Sequence, residues 1–277
     1  MIRQNYMNRL VVYIAVIFLS FTFLFPLIWL VRSSLMSMVQ IFRIPVEWIP
    51  NPFQPQNFVM AFTDVPFGRY FLNTFLIIGV NLAAVIIVAP ISAYSFSRFQ
   101  WKGRDIVFII LLSSLMLPTT VTLIPMFLFW SWLNLTNSFW PLLIPTWFGG
   151  GIFNIFLLRQ FMMTIPRELD EAAYIDGANS YRILISIYYP LIRPALITVG
   201  LFCFLFHWND FLTPLVYLSE IRNFTVAIGL RQFVSMYSAQ WHLLMAASSI
   251  CVLPPLIVFF FGQKFFIEGI TVTGIKG

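Results

Sequence analysis

The chain has 277 residues, 60% of them hydrophobic and only 9% charged, with a mean hydropathy of +0.88 and a formal net charge of +6. A soluble domain carries roughly a quarter charged residues, so this composition excludes one. It describes an all-α, polytopic membrane protein with chain enough for about six spans of twenty residues. The positive excess does not point to nucleic acid, because Lys and Arg sit scattered at the ends of apolar segments, where they anchor spans and set topology.

The first apolar run, 10–31, follows Arg3 and Arg9 and contains Pro26. It is too long for a signal-peptide core and no small-residue cleavage site follows, so it reads as a retained span. Residues 32–67 are too polar to cross a membrane, and Trp48, Phe53 and Phe58 suit an interfacial segment. A second span is expected over 69–94, then a short basic loop with Arg98, Lys102 and Arg104. The third, 106–130, contains Pro118 and Pro125, which mark either a hinge or kinks satisfied by neighbouring groups. The fourth, 140–163, holds Gly149, Gly150 and Gly151, read as close helix contact in preference to a local break.

Residues 166–194 form a polar island. Pro166 suits a first helical turn, and Glu168, Asp170 and Glu171 complement the positive end of that helix's dipole. Leu169, Ala172, Ala173 and Asp176 recur at i, i+3, i+4 and i+7, giving a short, smooth face that another protein can approach. Gly177 ends the helix, Asn179 or Ser180 caps a second one, and Pro190 stops it. The order Glu171-Ala172-Ala173, then Gly177, Ile187 and Pro190, resembles the EAA loop of bacterial ABC-importer permeases, E-A-A-x3-G-x9-I-x-L-P. One position departs: Tyr189 stands where the pattern has Leu.

A fifth span is expected over 195–217, a second outer loop over 218–240 and a sixth span over 241–265. The fifth carries Asp210, its one acid, which must face protein or water because a charge at the bilayer centre costs about 2.5–3.5 kcal/mol. Asn209 and Asp210 are candidates for hydrogen-bonding a sugar in a translocation path; a helix contact or an outer gate is the alternative. Residues 208–218 (WNDFLTPLVYL) resemble the corresponding stretch of sugar-importing permeases. The aromatic share, 18%, is mainly that of lipid-facing belts and assigns no site. Cys203 and Cys251 fall in apolar runs and read as small buried hydrophobes, while His207 and His242 have no clustered partners, so no metal site is expected.

The tail, 266–277, resembles the end of the shorter maltose-type permease subunit, which reaches between ATPase subunits. Gly269, Gly274 and Lys276 are the candidates there, in an extended conformation that glycine permits. Placing the N-terminus, the 98–104 loop, 159–193 and the tail on one side gathers most of the basic residues: Arg3, Arg9, Arg98, Lys102, Arg104, Arg159, Arg167, Arg182, Arg193, Lys264 and Lys276. Arg32, Arg43, Arg69, Arg222 and Arg231 fall on the other. The richer side is expected in the cytoplasm, with both termini and the EAA-like loop.

No G-x4-G-K-[ST] pattern occurs, so the chain itself has no Walker-type ATPase. The resemblance covers nearly all of 1–277 as a single transmembrane permease domain. It implies a subunit that is not an enzyme and binds no cofactor, with ATP and Mg held by two partner ATPase subunits. A homologous second permease and an extracytoplasmic solute-binding protein complete the assembly, in a bacterial inner membrane. Glu168, Glu171, Ala172, Ala173, Asp176 and Gly177 are then the ATPase-coupling residues, and loops 32–67 and 218–240 meet the binding protein. The solute is expected to be a sugar or oligosaccharide. The rivals are another solute, or an ion-coupled secondary transporter, which would need intramembrane acids or inverted repeats, whereas the sequence displays one candidate acid and no convincing repeat between the halves.

Overall fold

The computed structural model describes residues 2–234 and 239–274, with side chains placed over 8–234 and 239–264. Lys276 and Gly277 lie outside the described residues. Every regular element among them is helical. In chain order these are α1 Ile2–Ser34, α2 Met38–Ile41, α3 Gln56–Asp64, α4 Phe67–Arg98, α5 Arg104–Ser114, α6 Thr119–Trp132, α7 Trp140–Trp147, α8 Ile152–Met163 and α9 Glu168–Ile175. They continue with α10 Ser180–Leu191, whose middle residues Leu184–Tyr188 are π-helical, α11 Arg193–Asn209, α12 Leu212–Tyr217, α13 Val226–Gln232 and α14 Trp241–Gly274.

Four stretches are long and apolar enough to cross a membrane: Asn8–Ser34, Phe67–Arg98, Trp140–Met163 and Trp241–Lys264. The number rises to six if two bent pairs, α5 with α6 and α10 with α11, each count as one span. The expected third span is therefore not a straight run. Between α5 and α6 the chain turns by 100°, because Pro118 has no N–H to continue the helix and pushes its predecessor out of the helical region. The expected fifth span also stops early. Asp210 is extended (φ −68°, ψ 109°) and its carboxylate accepts a hydrogen bond from the Thr213 N–H, so α12 starts as a separate helix. The tail differs in the other direction. Backbone from 266 to 274, expected to be extended, continues α14 as helix through Gly269 and Gly274. The stretch contains no proline, and a glycine costs a helix only about 1 kcal/mol.

The chain forms two compact units, Met1–Gly68 with Gly229–Pro254, and Arg69–Ile228 with Pro255–Gly277. In the first, the polar segment after α1 is held by named contacts. The Arg32 guanidinium stacks on Trp29 at 4.4 Å and on Trp48 at 5.9 Å, and donates through Nε to the Glu47 carbonyl at 2.8 Å. The buried Asn57 amide donates to the Ser34 and Met36 carbonyls at 2.9 and 2.8 Å, which satisfies the last turn of α1. By contrast, no residue in the apolar window of α1 is buried among the described residues. A helix apolar all round belongs in lipid or against another chain.

The second unit holds the larger core. Val85, Ala89 and Ala93 of α4, Ile155, Leu158 and Met162 of α8, Ile183 and Tyr188 of α10, and Ala195, Val199 and Cys203 of α11 pack into one cluster that also includes Ala173 of α9. The polar island is thus built onto the ends of the apolar helices and is not a free loop.

Asn57→Ala is expected to lower the stability of the detergent-solubilised protein by about 1–3 kcal/mol, since two buried carbonyls lose their donor. A thermal midpoint equal to wild type would show that water replaces the amide.

Candidate functional site

The polar island forms much as its residues dictate. Three acids stand in the first turn of α9, and Gly177 (φ +76°) closes it with the Gly177 N–H on the Tyr174 carbonyl at 3.0 Å and the Ala178 N–H on the Ala173 carbonyl at 2.9 Å. Only glycine enters that left-handed conformation without strain. Of the two candidate caps for the next helix, Asn179 serves: its side-chain oxygen accepts from the Arg182 N–H at 2.8 Å. Pro166 lies two residues before α9, not in its first turn, and Arg167 occupies the cap position.

The expected smooth face is divided. Ala173 is buried in the chain's own core together with Asp170, whereas Glu168, Leu169, Glu171, Ala172, Asp176 and Gly177 are exposed. The reason is the neighbour beneath α9: the inward stripe is set by Asp170 and Ala173 at i and i+3, which leaves Ala172 on the opposite side. Sequence reasoning missed two large apolar residues beside the exposed face, Ile175 at 87% exposure and Tyr181 at 72%. The sequence gives no signal that separates them from Ile183, Leu184 or Ile187 of the same segment, the first two of which are buried; their exposure is decided by the packing of α9 and α10.

Arg98, Asp170 and Tyr188 form a buried cluster that the sequence did not single out as functional. Arg98 ends α4, and its Nη2 donates to the Met162 and Ile165 carbonyls, each at 2.6 Å, closing the open end of α8. Its Nε stands 3.5 Å from Asp170 Oδ2, and Tyr188 donates its hydroxyl to the same oxygen at 2.9 Å. The guanidinium also lies 5.1 Å from the centre of the Tyr188 ring, which meets Tyr94 edge-on at 4.9 Å. One side chain therefore joins α4, α8, α9 and α10.

Gly150 serves a second junction. The three glycines between α7 and α8 all have positive φ, so the chain breaks there, and it also makes the close contact the sequence suggested. A Cβ at Gly150 would lie 2.5 Å from the Ala89 backbone nitrogen. On the opposite end of this unit, Asn137 (φ 57°) ties two loops together. Its side-chain oxygen accepts from the Ser219 and Glu220 N–H groups at 3.2 and 3.0 Å, and its amide donates to Glu220 Oε1 at 2.9 Å. Asn73 donates to the Arg222 and Phe224 carbonyls, both at 2.9 Å, holding the first part of the 218–240 loop against α4.

Asn209 and Asp210 do not meet in a shared site. The Asn209 amide donates to the Leu205 carbonyl of its own helix at 2.8 Å, and Asp210 caps α12. Nearby, a cavity of about 580 Å³ is lined by Thr146, Gly150, Asn154, Cys203 and His207 among mostly apolar neighbours.

Apolar helices of spanning length, with a polar helix pair fastened onto their ends, define a multi-span permease-type fold. Residues 86–272 match the model of a family described as the binding-protein-dependent transport system inner membrane component. The chain is 30% identical over 276 residues to the probable ABC transporter permease protein YurM of Bacillus subtilis (strain 168), covering 99% of this chain and 91% of that one. It is 31% identical over 263 residues to the arabinooligosaccharides transport system permease protein AraQ of Halalkalibacterium halodurans, with 94% of each covered. Its fold resembles a chain from the crystal structure of a bacterial ABC transporter involved in the import of the acidic polysaccharide alginate, with a TM-score of 0.82 at 24% identity over 95% of this chain and 98% of the other. The chain belongs to the family of inner-membrane components of binding-protein-dependent transport systems.

Gly150→Ala is expected to cost about 1–3 kcal/mol or more, since the added Cβ meets backbone and the φ is unfavourable. Size-exclusion and thermal-shift profiles of the purified variant check this; a wild-type profile would show that α4 yields at Ala89.

Proposed function

We propose that this chain is one of two homologous permease subunits of an ATP-driven importer, carrying a sugar or oligosaccharide from an extracytoplasmic binding protein into the cytoplasm. The observation that carries the reading is the geometry of α9. A capped helix presents Glu168, Glu171, Ala172 and Ile175 outward while Asp170 and Ala173 fasten it to the ends of the apolar helices. A large aliphatic side chain left 87% exposed in a polar segment suits a groove on another protein. Fastening at the back and exposure at the front are what a rigid coupling element needs: a force on the front reaches the spans without the helix rolling.

The reading places six spans in the membrane, both termini and α9 in the cytoplasm, and the Asn137-tied loops outside, in line with the distribution of Lys and Arg. ATP and Mg then belong to two separate ATPase subunits. The exposed Ile221 and Arg222, beside the half-buried Glu220 on a loop whose backbone Asn137 holds, are suited to meet the binding protein. The sugar class rests on the arabinooligosaccharide relative. Asn209 and Asp210 remain part of the proposed path, with only the groups not engaged in local hydrogen bonds free to meet solute. For the tail, Gly269, Gly274 and Lys276 are proposed to reach the ATPase pair, on a helix as far as Gly274.

Co-expression with the partner permease and ATPase tests this. Ile175→Glu is expected to reduce ATPase co-purification about ten-fold or more, because a charge enters a desolvated contact. Gly177→Pro combined with Glu171→Lys should abolish it while the permease still inserts. Undiminished ATPase binding in both variants would refute α9 as the coupling element.

A further inference from the structure

Tyr189, the residue that departs from the EAA-type pattern, has a partner the pattern does not explain. Pro90 lies inside α4 and has no N–H, so the Ile86 carbonyl four residues earlier lacks its helical donor. The Tyr189 hydroxyl stands 3.0 Å from that carbonyl oxygen and 3.4 Å from the Ile87 carbonyl oxygen, and donates to both. A side chain from the coupling loop thus completes the helix at its one proline gap. On the far side of Pro90, the same loop holds α4 through Asp170 and Tyr188 on Arg98, and through the Tyr188 ring on Tyr94. Gly150 presses on Ala89, the residue next to the gap.

The two attachments differ in kind. Arg98 is held by two carbonyls, a carboxylate and an aromatic face, so the end of α4 moves with the loop. Tyr189 contributes a single hydroxyl, shared between two acceptors at unequal distances, that breaks and reforms without leaving a charge buried. A helix is easiest to bend where a proline removes a backbone bond. The geometry points to Tyr189 as a positioning residue: a latch across the Pro90 gap that biases α4 toward the continuous helix seen here and is released when the ATPase subunits displace the coupling loop. This rests on the coupling role of α9 proposed above.

Spin labels at Leu72→Cys and Ser95→Cys report a bend at Pro90, since Leu72 is exposed, Ser95 is half-buried and each lies more than one turn from the proline, while the native Cys203 and Cys251 are buried. The full complex in liposomes is compared without nucleotide and with ATP and vanadate. The distance distribution of the wild type should differ between the two conditions. Tyr189→Phe should keep ATPase co-purification and raise the ATP-type population in the nucleotide-free complex by about two- to ten-fold, the range set by one hydrogen bond. Pro90→Ala restores the helical donor, so in that background Tyr189→Phe should change nothing.

If Tyr189→Phe only lowers the thermal midpoint and leaves the distances unaltered, the latch is overturned and the hydroxyl is structural. An equal effect of Tyr189→Phe with and without Pro90 also overturns it. Undiminished ATPase binding in the Ile175→Glu variant would instead refute the coupling reading itself. Pro90→Ala alone, which needs no change at Tyr189, supplies the same comparison should the tyrosine variant insert poorly.

Discussion

The arrangement of this chain depends on the charge of one buried arginine. Arg98 ends the longest helix of the second unit with its side chain 6% exposed, and a guanidinium in that position requires partners. Two backbone carbonyls at the end of α8 take the Nη2 protons, and Asp170 and the Tyr188 ring supply the counter-charge and the aromatic face. Lysine is no substitute, because a single ammonium does not span this set with a planar fork. Breaking a buried pair by removing one partner costs about 3–5 kcal/mol, several times the value of a surface pair. The pair is not saturated, however. Arg98 Nε and Asp170 Oδ1 make no hydrogen bond, so it stabilises less than an ideal bidentate contact would.

From this joint the architecture of the polar island follows. Asp170 is drawn inward, which turns Ala173 into the core and sends Ala172, Glu171 and Ile175 outward. Gly177 and Asn179 then return the chain so that Tyr188 and Tyr189 come back to α4 one after the other. The π-helical turn at Leu184–Tyr188 sits where this return takes place, and such turns mark sites where register matters more than regular hydrogen bonding. Fastened where it meets the apolar helices, the island presents Glu168, Glu171 and Asp176 outward together with Ile175, which is the arrangement the proposed coupling role rests on.

Other strained or broken positions gather around the same helix. The glycine break before α8 lies on Ala89, and the proline gap lies at the next residue. A helix interrupted beside a backbone-to-backbone contact has few ways to bend, which favours discrete states over gradual deformation. At the opposite end of the unit, Asn137 and Asn73 hold the 219–224 backbone through main-chain groups, so that loop keeps its course whatever its exposed side chains are.

Much of this was legible in the sequence. Composition required apolar helices in a membrane, because a chain with so few charges cannot solvate itself. Glycine at 177 and asparagine at 179 marked helix ends through backbone chemistry that is local to a few residues. Glu171, Ala172, Ala173 and Gly177, with Ile187 and Pro190, carried the resemblance to ABC-importer permeases that the family match bears out. What tertiary structure decided was everything that depends on partners distant in the chain. Arg98 reads from sequence as a topology charge and Asp170 as a dipole acid, and only their approach across 71 intervening positions makes them a joint. Which alanine faces inward, why a tyrosine replaces leucine at 189 and where the third and fifth apolar runs break are likewise decided by neighbours. Local propensity sets where a helix stops, but the face it buries is set by the surface it meets.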